Sequence, residues 1–145
     1  MAYVLARWWY AWRRPSRTTA AVALWHKNSL LLVSHSYKHD LTLPGGGARW
    51  REAPALAAAR ELREETGIVI DPESLLLADI TTYAGRYGRR TTYLYEVRLP
   101  HAPQIRVNGW EITGGSLFDA REACAIGHSA GLSRYIESAL ARHAA

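Results

Sequence analysis

Two apolar runs, Thr18 to Trp25 and Leu30 to Ser34, are separated by the polar His26-Lys27-Asn28-Ser29. That pattern predicts a β-hairpin, with the second, more strongly apolar strand lying centrally in a sheet. Leu41-Thr42-Leu43 reads as a short extended piece. Pro44 then biases Leu43 away from helical angles, and Gly45-Gly46-Gly47 opens dihedrals closed to most residues. Apolar structure flanks these glycines on both sides, so they predict a constrained turn rather than a loose linker.

The clearest helix runs from Ala53 to Thr66. Pro54 is tolerated in the first turn, the alanines and Leu62 supply propensity, and Gly67 is placed to cap the end. At about 100° per residue, Ala55, Ala59 and Leu62 share one side, and Glu61, Glu64 and Glu65 occupy another. The alanines predict close approach of a neighbouring element.

Farther along, Ile68-Val69-Ile70 and Leu75 to Ile80 read as extended pieces separated by Asp71-Pro72-Glu73. Tyr83 to Arg90 is a glycine- and arginine-rich hairpin or loop. Thr91 to Leu99 alternates as a strand, with Tyr93, Tyr95 and Val97 on one face. Ser116-Leu117-Phe118 predicts a last short strand and Asp119 the cap of a brief helix. Ser129 to His143 predicts a terminal helix built on Leu132, Tyr135, Ile136 and Leu140. Strands, a central helix, more strands and a final helix give an α/β fold with a mixed sheet between helices. The 145 residues suit a single domain, 1–145, with no internal repeat and no linker.

Composition adds exclusions. A chain of this length buries enough surface to do without a disulfide or a structural metal, and the one cysteine, Cys124, forms no internal bridge. That favours a reducing compartment, and Cys124 has no sequence neighbour that would make it a nucleophile. The N-terminus places its apolar residues before Arg7-Trp8-Trp9-Tyr10-Ala11-Trp12-Arg13-Arg14, the reverse of a secretory signal. No run approaches the roughly 20 apolar residues of a membrane span, so the expected location is cytoplasmic. The Trp8–Trp12 patch is costly to leave exposed; a homodimer would cover it, and so would packing on the chain's own sheet. The formal charge of +5 attracts phosphate-bearing ligands. Its basic residues are scattered, without zinc-finger or basic-zipper spacing, which argues against extended nucleic acid.

Glu61, Glu64 and Glu65 sit three and four residues apart, so Glu61 neighbours both others on the helix surface. Like charges so close raise one another's affinity for protons or cations. By spacing alone the cluster is either a solvated acidic face offset by Arg60 and Arg63, or the seat of a hard cation such as magnesium, which takes oxygen ligands. No Cys/His set suits zinc.

The surrounding residues change that balance. Gly46 is followed after five residues by Glu52, and after seven more by Arg60-Glu61-Leu62-Arg63-Glu64-Glu65-Thr66-Gly67-Ile68. Residues 46–68 match every defining position of the Nudix signature, GX5EX7REUXEEXGU, and the chain resembles the Nudix hydrolase (MutT-like) family. The resemblance implies an α/β/α sandwich and magnesium-dependent hydrolysis of a phosphoanhydride, with manganese a substitute metal. The expected substrate is a small molecule, a nucleoside diphosphate derivative or a nucleoside triphosphate. It implies Glu61, Glu64 and Glu65 as metal-holding catalytic carboxylates, with an oxygen from the Gly46 carbonyl. It further implies Arg60 as their orienting partner and Glu52 as a brace of the loop–helix junction.

Asn108-Gly109-Trp110-Glu111-Ile112 resembles a later family segment, which makes Glu111 a further metal-ligand candidate beside the bland reading of a loop carboxylate. His35 and His39 are better read as loop packing or solvent-exposed residues. Arg49 and Arg51 stand where relatives often carry glutamate and glycine: Arg49 is expected to face phosphate, and Arg51 puts bulk on the turn. Arg86 and Arg89 are candidates for phosphate, and Tyr83 and Trp110 for the base. Tyr83 loosely resembles the dinucleoside-polyphosphate branch, and the proline typical of ADP-ribose enzymes is missing. The competing class, a non-catalytic nucleotide-binding or regulatory module on the same fold, predicts loss of a defining acid; all of them are present.

Overall fold

The computed structural model describes residues 18–37, 40–85, 88–126 and 130–144. The Trp8–Trp12 patch, His39, Arg86 and Tyr87 fall outside them. In chain order the strands and helices are β1 (Thr18–His26), β2 (Ser29–His35), β3 (Leu41–Thr42), β4 (Gly45–Gly47), α1 (Pro54–Thr66), β5 (Leu76–Gly85), β6 (Gly88–Leu99), β7 (Ile112–Asp119), α2 (Ala120–Ala125) and α3 (Ala130–Ala144). The sheet order is β3-β2-β1-β6-β5, with β4 added to β1 and β7 to β2. β1 and β6 run parallel and the other pairs antiparallel. The sheet is therefore mixed, as the order of elements predicts.

β1 and β2 are buried on both faces, which explains why they read as near-continuous apolar runs. Ala20, Val22, Leu24 and Leu31 join Ala57, Ala58 and Leu62 of α1 in one core. Ala23, Trp25, Leu30 and Leu32 point the other way and pack with Ala120 and Ala123 of α2 and with Tyr135, Ile136 and Ala139 of α3. Period-two alternation thus feeds two helix-covered faces, and the result is an α/β/α sandwich.

Helix α1 starts at Pro54, after an extended Ala53 that offers no side-chain cap. It ends at Gly67, whose φ of 72° is left-handed and whose N–H donates to the Arg63 carbonyl. Its alanines do what their size predicts: Ala57 and Ala58 are fully buried against β1. Asp119 caps α2 by accepting from the Arg121 N–H.

Three expectations need correction. The three glycines are not a turn but strand β4, paired with Thr19, Ala20 and Ala21. Gly45 lies so close to β1 that a Cβ would stand 2.4 Å from the Ala20 carbonyl oxygen, so a missing side chain here permits strand pairing. Ile68-Val69-Ile70 is not extended sheet. Ile68 plugs the core while Val69 is 77% exposed, and the Arg106 N–H that follows the segment in space goes to the Thr66 carbonyl instead. The segment from Tyr83 to Arg90 is the expected hairpin, paired almost to its tip at Gly85↔Gly88. β7 reaches back to Ile112, because Gly114 and Gly115 fit against Ser34 and Val33 of β2.

Candidate functional site

The site is built where α1 crosses β4, and Arg60 organises it. Its side chain, 9% exposed, donates Nε to Glu52 Oε1 at 2.8 Å and Nη1 to Glu61 Oε1 at 2.8 Å and Glu64 Oε2 at 3.2 Å. Its Nη2 donates to Glu52 Oε2 at 3.0 Å and to the Gly47 carbonyl at 2.9 Å. A planar guanidinium can serve a bidentate carboxylate on one edge and other acceptors on the next. Glu52 is therefore bound to the helix, and its Oε2 also accepts from the Arg49 N–H at 2.7 Å, closing the loop onto α1. The hydrogen bonds from Arg60 hold Glu52 below the ordinary carboxylate range, against the opposing effect of burial and helped by the Arg49 N–H. The same pairing, chiefly with Glu52, raises Arg60.

Glu61 is buried and lies against the backbone of β4. A Cβ on Gly46 would fall 2.6 Å from the Glu61 Cδ, so only glycine leaves room for this carboxylate. Glu65, also buried, accepts from the Gly45 N–H at 3.0 Å through Oε2. Burial pushes Glu65 up to about 8; the Gly45 N–H opposes this, and the charges of Glu61, Glu111 and Glu64 reinforce it. A carboxyl so placed takes either a proton or a cation. Glu64, on the more open side, meets Arg49 Nη2 at 3.4 Å. Arg49 thus reaches the acid cluster, although its side chain is 63% exposed.

Glu111 arrives from the loop before β7. Its carbonyl accepts from the Ser36 N–H at 2.8 Å, which ties it to the end of β2. There the β2–β7 register shifts between Ser34 and His35, and the outcome is a further correction to the sequence reading. His35 is neither an exposed residue nor simple loop packing. It ends β2, its Nε2 lies 2.9 Å from Thr42 Oγ1, and ligand atoms of His35, Glu65 and Glu111 all lie within 4.8 Å of one another. These three residues can hold a metal ion. Carboxylate oxygens, with two further acids on α1, fit a hard divalent cation such as magnesium or manganese, and the imidazole nitrogen of His35 lies within the same cluster.

The other candidates lie farther out. Trp110, 82% exposed, neighbours Glu111. Trp50, which the sequence reading passed over, is 85% exposed and has the Arg51 guanidinium 4.3 Å from its ring centre. Arg51 holds a φ of 57°, which explains why a glycine would suit that turn. Tyr83 and Arg89 sit near the β5–β6 hairpin tip. β1 separates Arg89 on β6 from β4, and β1 and β6 together separate Tyr83 on β5 from it, so strand spacing alone puts Tyr83 roughly 14 Å from the glycines. They are not part of the carboxylate cluster, and Arg86 lies outside the described residues.

Besides Trp50, two residues receive no role in the site from the sequence reading, His35 and Asn108. His35 gave no signal, because a bulge rather than a motif delivers it. Asn108 did give one: Asn-Gly is a turn pair, and Asn108 Oδ1 accepts from the Trp110, Glu111 and Ile112 N–H groups at 3.0, 3.2 and 3.0 Å.

A family model described as NUDIX domain matches residues 15–137. A search of curated proteins gives no match. Among solved structures, the NUDIX domain of Shewanella oneidensis NrtR complexed with ADP ribose is similar at TM-score 0.74 and 17% identity, over 97% of each chain. The E. coli dihydroneopterin triphosphate pyrophosphohydrolase is similar at 0.71 and 23%, over 86% of this chain and 94% of that one. A C. elegans Ap4A hydrolase is similar at 0.69 and 21%, over 88% and 97%. At these identities the three structures show a common fold.

Proposed function

The chain belongs to the NUDIX domain family, and from that premise we propose that it is a magnesium-dependent hydrolase of a phosphoanhydride bond in a nucleoside diphosphate derivative or nucleoside triphosphate. The observation that carries this is the buried Glu65 carboxyl, grouped with His35 and Glu111 and adjoining Glu61 and Glu64 on α1. A merely solvated acidic face would leave these acids in water; here Glu61 and Glu65 are 3% and 2% exposed.

Glu65, Glu64, Glu61 and Glu111, with the Gly46 carbonyl, are the proposed holders of one or more magnesium ions, and manganese would substitute. A bound divalent ion neutralises phosphate charge and lowers the proton affinity of water. The chain's own residues do the rest. Arg60 and Glu52 lock the β4–α1 junction, so the carboxylates keep their spacing when substrate charge enters. A glutamate not committed to metal receives the proton of the attacking water. The water oxygen bonds to phosphorus as the bridging P–O bond breaks, and the leaving phosphate or nucleotide carries away the electron pair. Arg49, paired with Glu64 through a contact of only 3.4 Å, is free to exchange that acid for a phosphate oxygen. Trp110 and Trp50 offer exposed rings for a base. Arg86, Arg89 and Tyr83 would meet a distal portion of a longer substrate.

The named relatives support the substrate class. ADP ribose, dihydroneopterin triphosphate and Ap4A each join a ring system to a phosphoanhydride. A non-catalytic binding module would have no need of the full set of acids that Arg60 holds here. No helix among the described residues is long and apolar enough to cross a membrane, and we propose a cytoplasmic setting.

The test is turnover on a panel of nucleoside triphosphates, dinucleoside polyphosphates and nucleotide sugars, with magnesium and after chelation. Magnesium-dependent release of phosphate-bearing products from at least one class is expected. Products formed in oxygen-18 water then identify the phosphorus attacked. Binding of a panel member without any metal-dependent turnover would favour the binding module instead.

A further inference from the structure

We propose that Asn108 is a positioning residue that sets Glu111 against Glu65 and joins the Glu111 loop to the carboxylate helix. The proposal rests on Glu111 being a metal ligand, as proposed above.

The loop carrying Glu111 is held by one side chain together with two backbone bonds. Asn108 Oδ1 accepts three successive N–H groups, those of Trp110, Glu111 and Ile112, at 3.0, 3.2 and 3.0 Å. Those donors fix which amide atom is oxygen. Gly109, at a φ of 74°, turns the chain so that its own N–H meets the Ile112 carbonyl at 2.9 Å. The Glu111 peptide is therefore held on both sides, by Asn108 at its N–H and by Ser36 at its carbonyl. Ser36 directly follows His35, so the second anchor belongs to the same cluster.

The amide nitrogen faces the other way. Asn108 Nδ2 donates to the Glu64 carbonyl at 3.4 Å. This carbonyl belongs to the last turn of α1, where helix geometry leaves oxygens without intrahelical donors. The neighbouring Thr66 carbonyl is met in the same way by the Arg106 N–H at 2.8 Å. One segment thus closes the end of the helix that carries Glu64 and Glu65, and three residues after Asn108 it presents Glu111. Only an amide can accept several N–H groups on one atom and donate to a carbonyl from the other. Aspartate keeps the acceptor and loses the donor; alanine loses both. Asn108 is exposed, so water replaces its bonds at small cost to the fold. What water cannot replace is the fixed direction of the Glu111 side chain.

Outer-shell partners of this kind typically change metal affinity by about 10–100-fold. The test is Mn2+ binding to the full chain without substrate, read from the free-Mn2+ electron paramagnetic resonance signal. Asn108→Ala is expected to weaken binding about tenfold, with an unchanged melting temperature. Glu111→Gln should weaken it at least as much. The double variant should be no weaker than Glu111→Gln alone, because Asn108 acts through that side chain. Asn108→Asp, which retains the acceptor, should recover most of the affinity. If Asn108→Ala unfolds, Asn108→Ser, whose shorter acceptor cannot serve three donors, reads the same loss. Wild-type affinity in Asn108→Ala beside weakened binding in Glu111→Gln would overturn the positioning role, and so would additive losses in the double variant. Undiminished binding in both Glu65→Gln and Glu111→Gln would instead overturn the metal site on which the proposal rests.

Discussion

The two faces of the sheet solve the burial of polar groups in opposite ways. Opposite α1, the layer under α3 buries a hydrogen-bonded pair: Trp25 Nε1 donates to the Tyr135 hydroxyl at 2.8 Å, beside the single, mostly buried acid Glu96. That one acid is paired with two arginines, Arg98 and Arg142, which lie toward the rim. Under α1 the chain instead buries Glu61 and Glu65 within reach of Glu64 and offsets them with a single Arg60. Neutral hydrogen bonds stabilise a core cheaply, whereas close-set acids cost desolvation and repulsion. A fold that needed only stability would resemble its α3 side throughout. The difference between the layers separates what holds the sandwich together from what the α1 side is for.

That contrast can be broken from either side. The largest effect is expected from Glu65→Gln, which should lower turnover on the order of 10³-fold while leaving the melting temperature at or above wild type, since it removes a repelled acid. Steady-state kinetics and a thermal melt check both halves.

Arg60→Ala should destabilise the fold by about 3 kcal/mol, the lower end for stripping one partner from a buried ionic network, measured by urea unfolding. Its pH dependence has a definite sign. The folded-state pKa of Glu52 is depressed, so its stabilisation is complete above the ordinary value of 4.5 and is lost as pH falls through the lowered one. Arg60→Ala should lack that acid-sensitive component.

Gly46→Ala comes next, because its Cβ meets only the movable end of Glu61. Turnover should fall about 10–100-fold through the displaced ligand, with stability nearly unchanged. On the other face, Tyr135→Phe strands the buried Trp25 N–H and should cost about 1–2 kcal/mol, with kcat and KM as in wild type. A turnover defect there would blur the division between the layers. The smallest change is Arg51→Gly. Relief of the left-handed strain is partly offset by glycine's unfolded-state entropy, giving a gain of roughly 0.5 kcal/mol in chemical denaturation.

The sequence made much of the α1 side legible, because a helix with fixed spacing turns positions into geometry. Glu61, Glu64 and Glu65 are placed together by their intervals, Glu52 and Arg60 join them through the family resemblance, and Gly67 marks the helix end. Residues brought in by other elements were harder. His35 enters through a register shift at Ser34 and His35, where period-two reasoning stops applying. Glu111 was a candidate by resemblance, yet what holds it, the Asn108 side chain, was readable only as a turn. The β4 glycines misled because strand propensity is poor in Gly, and it is the absence of side chains that admits β1 so closely. Tyr83 on β5 and Arg89 on β6 are substrate-contact candidates whose distance from β4 depends on strand order, which their sequence positions do not reveal.

The central claim is that the grouped carboxylates support metal-dependent phosphoanhydride hydrolysis. The most direct measurement is the magnesium dependence of product release from the best substrate of the panel, with wild type and Glu65→Gln side by side. The account predicts saturable, magnesium-dependent turnover in wild type and about a thousandfold less in Glu65→Gln. Equal rates in the two proteins, or turnover that persists unchanged after the metal is chelated, would contradict it.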